Sequence, residues 1–325
     1  MRCEASITMK KTWLIFFGLA TFLLGACGER TNEPPGNGFA SPAATEDVAP
    51  GEGYANAGAL VDTEWMLANL REPDVRLIDV SAQRDTYVEG HLPGAQFVQW
   101  NTELVNPDNP VEGQILTRGA LSALMSRLGV SNDDKVIVYD NASNLFAARA
   151  YWVLKYYGHD DVRIYNGGRK KWVEASHELT TEIEPVSPGI YIAGEPDPRI
   201  AADWNYVVGK IDDPSTLYCD SRRPSEYEGE ELLSERGGRI PGGMNVEWSK
   251  SVQDDGTFLE AGSLAELYRS VGFTPDKEIV TYCQTGVRGA HTWFVLSELL
   301  GYPNVRNYDG SWAEYGNRAD SPIEN

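Results

Sequence analysis

Cys283 ends the apolar run Glu278–Tyr282 and opens Cys283-Gln-Thr-Gly-Val-Arg-Gly289, which leads into a stretch of helical length. A side chain at the carboxyl end of a buried strand stands where open α/β sheets bind their ligands. Consecutive backbone N–H groups of a tight turn converge on an anion. The amino end of the following helix adds the equivalent of about half a positive charge. Arg288 adds a whole one. All three favour a thiolate, the nucleophilic form of cysteine. Gln284, Thr285, Gly286 and Val287 supply the turn's amides, so with Arg288 they are the candidate substrate-binding residues. The competing use of Cys283 is as a small buried apolar side chain. The strand–turn–helix setting argues for chemistry.

The other residue types exclude more than they suggest. The cysteines are Cys3, Cys27, Cys219 and Cys283, with no C-x-x-C spacing; the four histidines form no short pair. Neither pattern makes a metal site. There is no Walker loop, no G-x-G-x-x-G after a strand, no G-x-S-x-G and no H-E-x-x-H, so neither metal nor cofactor is expected. Cys219 falls in an apolar run and reads as core. The 48 acidic and 28 basic residues leave a formal charge of −20. That balance argues against a nucleic-acid partner, which needs a basic face. An anionic substrate would have to be met by local arginines and helix amino ends.

The chain carries an internal repeat. Gly129-Val-Ser-Asn-Asp-Asp-Lys-Val-Ile-Val-Tyr-Asp140 aligns with Gly272-Phe-Thr-Pro-Asp-Lys-Glu-Ile-Val-Thr-Tyr-Cys283, and Arg163-Ile-Tyr-Asn-Gly167 aligns with Arg306-Asn-Tyr-Asp-Gly310 at the same spacing. Leu77-Ile-Asp-Val-Ser81 pairs with Tyr218-Cys-Asp-Ser-Arg222, and His91-Leu-Pro-Gly-Ala95 with Arg239-Ile-Pro-Gly-Gly243. Landmarks kept in order mean a duplicated domain. Short apolar runs such as 75–80 and Lys135–Tyr139 suit buried parallel strands, and 145–157 and 290–300 have helix length. Each copy therefore reads as an open, mainly parallel α/β sheet with helices on both faces. The expected units are 59–186 and 197–325, joined by a turn-rich linker over 185–198. Asp140 occupies the place of Cys283 in the first copy, with no arginine five residues on. A carboxylate is no soft nucleophile, so the first domain is expected to be catalytically silent.

Lys10 and Lys11 precede an uncharged run over 12–26 that ends Leu24-Gly25-Ala26-Cys27. Its 15 residues are short for a membrane span of about 20 and right for a signal peptide. Residues 1–26 read as a lipoprotein signal, Cys27 as the lipidated residue, and 27–58 as a flexible tether. The expected location is the cell envelope, on a membrane through lipid. An uncleaved anchor is the alternative.

Together these motifs resemble the two-domain rhodanese-like sulfurtransferases, thiosulfate sulfurtransferase and 3-mercaptopyruvate sulfurtransferase. The resemblance runs over about 60–317 and rests on the repeat landmarks above, the Cys283 loop, Tyr165-Asn-Gly-Gly168 and Tyr308-Asp-Gly-Ser-Trp312. It implies an inactive first domain and a second whose Cys283 takes sulfur from a small anionic donor as a persulfide. A thiol or cyanide would then accept that sulfur. It implies that Arg222 meets the donor's anionic end, and it offers His91 and Asp85 as a candidate proton relay toward Thr285. A capping role for His91 and an ion pair for Arg222 are the structural alternatives. Neutral Gln284 and Thr285 suit mercaptopyruvate, while Arg288 restores a charge that suits thiosulfate. Two rivals stand: a Cys–Arg phosphatase or arsenate reductase, whose anion loop is one residue longer, and a non-catalytic envelope module or sulfur carrier.

Overall fold

The computed structural model describes residues 53–325. The signal segment 1–26, Cys27 and nearly all of the 27–58 tether lie outside the described residues. The first domain runs β1 (Leu60–Val61), α1 (Thr63–Asn69), β2 (Val75–Ser81), α2 (Arg84–Glu89), β3 (Gln96–Gln99), α3 (Trp100–Glu103), α4 (Arg118–Arg127), β4 (Lys135–Tyr139), α5 (Leu145–Tyr156), β5 (Val162–Tyr165) and α6 (Gly168–Glu174). The second runs β6 (Ala201–Ala202), α7 (Trp204–Gly209), β7 (Thr216–Asp220), α8 (Pro224–Tyr227), β8 (Met244–Asn245), α9 (Ala261–Val271), β9 (Glu278–Tyr282), α10 (Val287–Phe294), β10 (Val305–Tyr308) and α11 (Ser311–Tyr315).

Each domain holds a five-stranded sheet. The orders are β1-β5-β4-β2-β3 and β6-β10-β9-β7-β8, and every strand pairing is parallel. The two halves thus share one topology. Their register agrees in detail: Asp79 lies beside Tyr139 in the first sheet and Asp220 beside Tyr282 in the second. The tyrosine hydroxyls accept the N–H groups of Leu92 and Ile240, the residues ahead of the two matching prolines.

Alternation along the strands shows why both sheet faces are covered. Val136 and Val138 of β4 join one apolar cluster, whereas Ile137 and Tyr139 join another on the opposite face. Successive side chains of a strand point to opposite faces, so a run apolar at every position must be buried twice. The first cluster continues without a break into the second domain, through Ile279, Trp293 and Phe294. The helices that follow β4 and β9 pack on each other there, with Tyr151 of α5 edge-on to Phe294 of α10 at 4.8 Å between centroids. The linker is pinned rather than loose: Gly189 and Tyr191 donate to Ser126, and Ala193 donates to the Ser122 hydroxyl.

Candidate active site

Cys283 follows β9, and its side chain is only 1% exposed. Its N–H donates to the Ser311 hydroxyl at 3.1 Å, and its carbonyl accepts from the Trp312 N–H at 2.9 Å. Ser311 Oγ in turn donates to the Tyr308 carbonyl. Ser311 has a φ of 47°, a left-handed conformation that costs a non-glycine residue about 1–3 kcal/mol. The turn between β10 and α11 therefore carries strain at the residue that fixes the start of the cysteine loop.

The loop itself has the form of an anion cradle. Gly286 is left-handed, with a φ of 75°, and Val287 begins α10. A left-handed residue next to a helical one points successive N–H groups into one concavity. Among the described residues, the N–H groups of Gln284, Thr285, Gly286, Val287 and Arg288 have no acceptor in the protein. The Gln284 side chain is turned aside, donating to the Leu233 carbonyl and the Ser234 hydroxyl. Thr285 packs against Gly113 of the first domain, where a Cβ would come within 2.6 Å of the threonine Cβ. A cavity of about 370 Å³ reaches the loop at Thr285 and is otherwise walled by residues 100–113 of the first domain, including Trp100, Val111 and Glu112.

The first domain shows what such a loop does with an anion. The Asp140 carboxylate, in the place of Cys283, accepts the N–H groups of Ala142, Asn144, Phe146 and Ala147 at 2.7–3.0 Å. Complete burial pushes its carboxyl up to about 6 while those four bonds pull it down. This cradle is filled by its own side chain.

The two arginines expected to meet the donor are both committed. Arg288 forms a bidentate pair with Glu226 of α8, Nη1 to Oε2 at 2.6 Å and Nη2 to Oε1 at 2.8 Å. Burial works against the Arg288 charge, but the Glu226 carboxylate and the neighbouring Cys283 outweigh it and hold its pKa above the ordinary guanidinium value. Burial likewise works against Glu226, yet Arg288, with help from Arg223, brings its carboxyl down to about 2. Arg288 thus stays charged next to the cysteine but is not a free cation.

Arg222 is 1% exposed. It donates to both oxygens of Asp220 and to the Gly238 carbonyl, and lies 4.4 Å over the Trp312 ring. Its Nε and Nη2 are taken up in this buried ion pair, which ties β7 to Gly238; this is the structural alternative to the donor-binding role expected of Arg222. His91 is also placed differently from the relay reading. It is fully buried, stacks on Tyr87 at 3.8 Å, and sets its ring nitrogens against the Tyr87 and Glu182 carbonyls. Asp85 stands exposed in the first turn of α2 and makes no hydrogen bond to His91 among the described residues. Among the described residues, neither side chain hydrogen-bonds to the cysteine loop. Cys219 is a core residue, as its setting in the sequence implies, and Trp172 and Trp312 are core residues too.

Sequence reasoning missed Glu226, Ser311, Arg149 and Asp309. Arg149 carries the one visible signal, a single cation inside the apolar helix Leu-Phe-Ala-Ala-Arg-Ala-Tyr-Trp-Val. It is fully buried and ion-paired with Asp309 of the second domain. Among the described residues no cluster of His, Cys, Asp or Glu could hold a metal.

Comparison with known proteins agrees with this geometry. The family model for the rhodanese-like domain matches twice, at residues 62–175 and 203–318. The sulfur carrier protein TtuD of Thermus thermophilus is 42% identical over 282 residues, covering 83% of this chain and 98% of its own. A putative thiosulfate sulfurtransferase of Mycolicibacterium smegmatis is 41% identical over 278 residues, covering 83% and 99%. Among solved structures, the 3-mercaptopyruvate sulfotransferase SseA of Escherichia coli superposes with a TM-score of 0.70 at 28% identity, covering 78% of this chain and 98% of its own.

Proposed function

The chain belongs to the rhodanese-like family of sulfurtransferases, and from that premise we propose that it moves the outer sulfur of thiosulfate to a thiophilic acceptor through a persulfide on Cys283. The observation that carries this reading is the cradle itself: among the described residues, five N–H groups around the loop cysteine make no hydrogen bond within the protein, where the sister loop uses the same geometry to hold a carboxylate.

In the first half-reaction the Cys283 thiolate attacks the outer sulfur of thiosulfate. A new S–S bond forms, the donor's S–S bond breaks, and sulfite leaves with the electron pair. The product is an anionic persulfide, and the free amides are placed to hold it. The Arg288 charge, fixed by Glu226, offsets the negative charge without offering a second ligand site. In the second half-reaction the acceptor attacks the outer persulfide sulfur. Cyanide would leave as thiocyanate and a thiol as a persulfide, and the Cys283 thiolate is returned. This is covalent catalysis with ping-pong kinetics. The cavity that touches the loop at Thr285 lies two residues from Cys283 and is the candidate entry for donor and acceptor.

The second reading takes 3-mercaptopyruvate as donor: the thiolate attacks its sulfur, the donor's C–S bond breaks, and pyruvate leaves as its enolate, which takes the electron pair and then a proton. The pairing of Arg222 with Asp220 and of Arg288 with Glu226 favours it, because each cation's charge is already offset by a carboxylate. A sulfur carrier that loads Cys283 and hands the sulfur to another protein is the version suggested by the name of the Thermus relative. Steady-state rates with thiosulfate and with 3-mercaptopyruvate, cyanide as acceptor, separate these readings: faster turnover with thiosulfate supports the proposal, and turnover with mercaptopyruvate alone replaces it. We further propose, on the sequence of residues 10–27 alone, that Cys27 is lipidated and holds the enzyme in the cell envelope. Recovery of the protein in the membrane fraction, lost in Cys27→Ser, tests that.

A further inference from the structure

We propose that Arg149, a residue of the silent first domain, is a positioning residue that shapes the Cys283 cradle from across the domain interface. The inference rests on the sulfurtransferase reading of Cys283. Arg149 lies on α5 among Ala147, Ala148, Trp152 and Val153, with no exposed surface. Its Nη2 donates to the Gly113 carbonyl at 2.9 Å, and its Nη1 donates to the Gly286 carbonyl at 3.4 Å. The same Nη1 is 2.5 Å from Asp309 Oδ1, and Asp309 Oδ2 accepts the Ile115 N–H at 2.9 Å. One rigid guanidinium fork thus touches the first-domain wall of the cavity, the left-handed residue of the cysteine loop, and the turn that leads to Ser311.

The contact with Gly286 matters most. The Gly286 carbonyl and the Val287 N–H belong to one planar trans peptide, so they point in opposite directions. That carbonyl accepts the Ala290 N–H at 3.0 Å, as the first turn of α10 closes, and Asn307 Nδ2 at 3.2 Å; Arg149 is a third donor on it, and its pull turns the Val287 N–H the other way. That N–H is one of the free cradle donors. Asp309 acts at the loop's other end, two residues before the serine that receives the Cys283 N–H. A buried ion pair contributes little net stability compared with apolar residues in its place. Positioning of the loop gives this one a reason to exist.

The test separates positioning from stability. Arg149→Met leaves Asp309 buried without its partner and is expected to lower both stability and rate. Arg149→Met/Asp309→Asn removes both charges, so its unfolding midpoint in denaturant is expected to return toward that of the unaltered protein. The side-chain amide oxygen left by the second change can still accept the Ile115 N–H. In that double variant the single-turnover rate of persulfide formation at saturating thiosulfate is expected to stay down by about tenfold or more, with donor KM within about twofold, because the cradle's amides are misaimed. The rate of Cys283 alkylation by iodoacetamide at neutral pH should fall as well. A double variant that regains full rates together with its stability would overturn the proposal, as would a loss confined to KM. The alkylation arm keeps the two ideas distinct. If the unaltered protein forms no persulfide, the sulfurtransferase reading fails, while the alkylation rates still decide whether Arg149 shapes the loop.

Discussion

Charge pairing decides what each site residue can do. Glu226 is 1% exposed and receives both Nη groups of Arg288. Glu226→Gln leaves the Arg288 charge buried with half its partner gone, which should cost about 3–5 kcal/mol in denaturant unfolding. Persulfide formation should fall as well, since among the described residues the Arg288 side chain has its hydrogen bonds with Glu226. The same pair sets an acid limit. The Glu226 carboxyl ordinarily titrates near 4.5 and is held at about 2 in the fold. A depressed pKa contributes stability that is complete above about 4.5 and is lost as pH falls through about 2. The loss is about 3 kcal/mol, read as a drop in melting temperature over that window that Glu226→Gln does not show. His91→Asn, by contrast, should lower stability through its Tyr87 stacking and carbonyl contacts. It should leave the pH profile of turnover unchanged, because His91 is not at the loop.

Loops carry the difference between the two halves. Asp140→Asn replaces an acceptor-only carboxylate by an amide whose NH2 faces N–H donors, so it should destabilise the fold by about 1–3 kcal/mol by chemical denaturation. Gly286→Ala should nearly abolish turnover. The residue is left-handed, and a Cβ would meet the Asp309 carbonyl oxygen at 2.7 Å and Arg149 Nη1 at 3.1 Å. This is also the scale at which the sequence is most legible. The strand Glu278–Tyr282, the turn after it and its duplicate ending at Asp140 follow from apolar runs, Gly placement and self-alignment, all of them local in the chain. Resemblance gives Arg222 and His91 functional roles, while their contacts in the fold are those of the structural alternatives. Asp220, two residues from Arg222 on the same strand end, captures its guanidinium, and Tyr87, one helical turn before His91, takes its ring. Glu226 and Arg149 are not legible from spacing. Their partners lie 62 residues away at Arg288 and 137 away at Gly286, and only the packing of α8 and α5 onto the second domain's loop brings them there.

At the level of the whole molecule, one apolar cluster runs from the first sheet through α5 and α10 into the second. The halves should therefore unfold together. Fluorescence and far-ultraviolet circular dichroism are expected to report a single coincident denaturant transition, and two separated transitions would contradict a shared core. The chain's charge of −20 repels a dianionic donor at long range. Raising ionic strength screens that repulsion, so kcat/KM for thiosulfate should rise with salt while that for an uncharged thiol acceptor stays level. The cavity at Thr285 is walled by the first domain and reaches the cysteine loop of the second.

The claim beneath all of this is that Cys283 carries the sulfur. Protein treated with thiosulfate in the absence of reductant and acceptor, then digested and weighed, should show one added sulfur on the Cys283 peptide, removed on adding cyanide. A Cys283 peptide of unchanged mass, or sulfur found on Cys219 instead, would contradict the account.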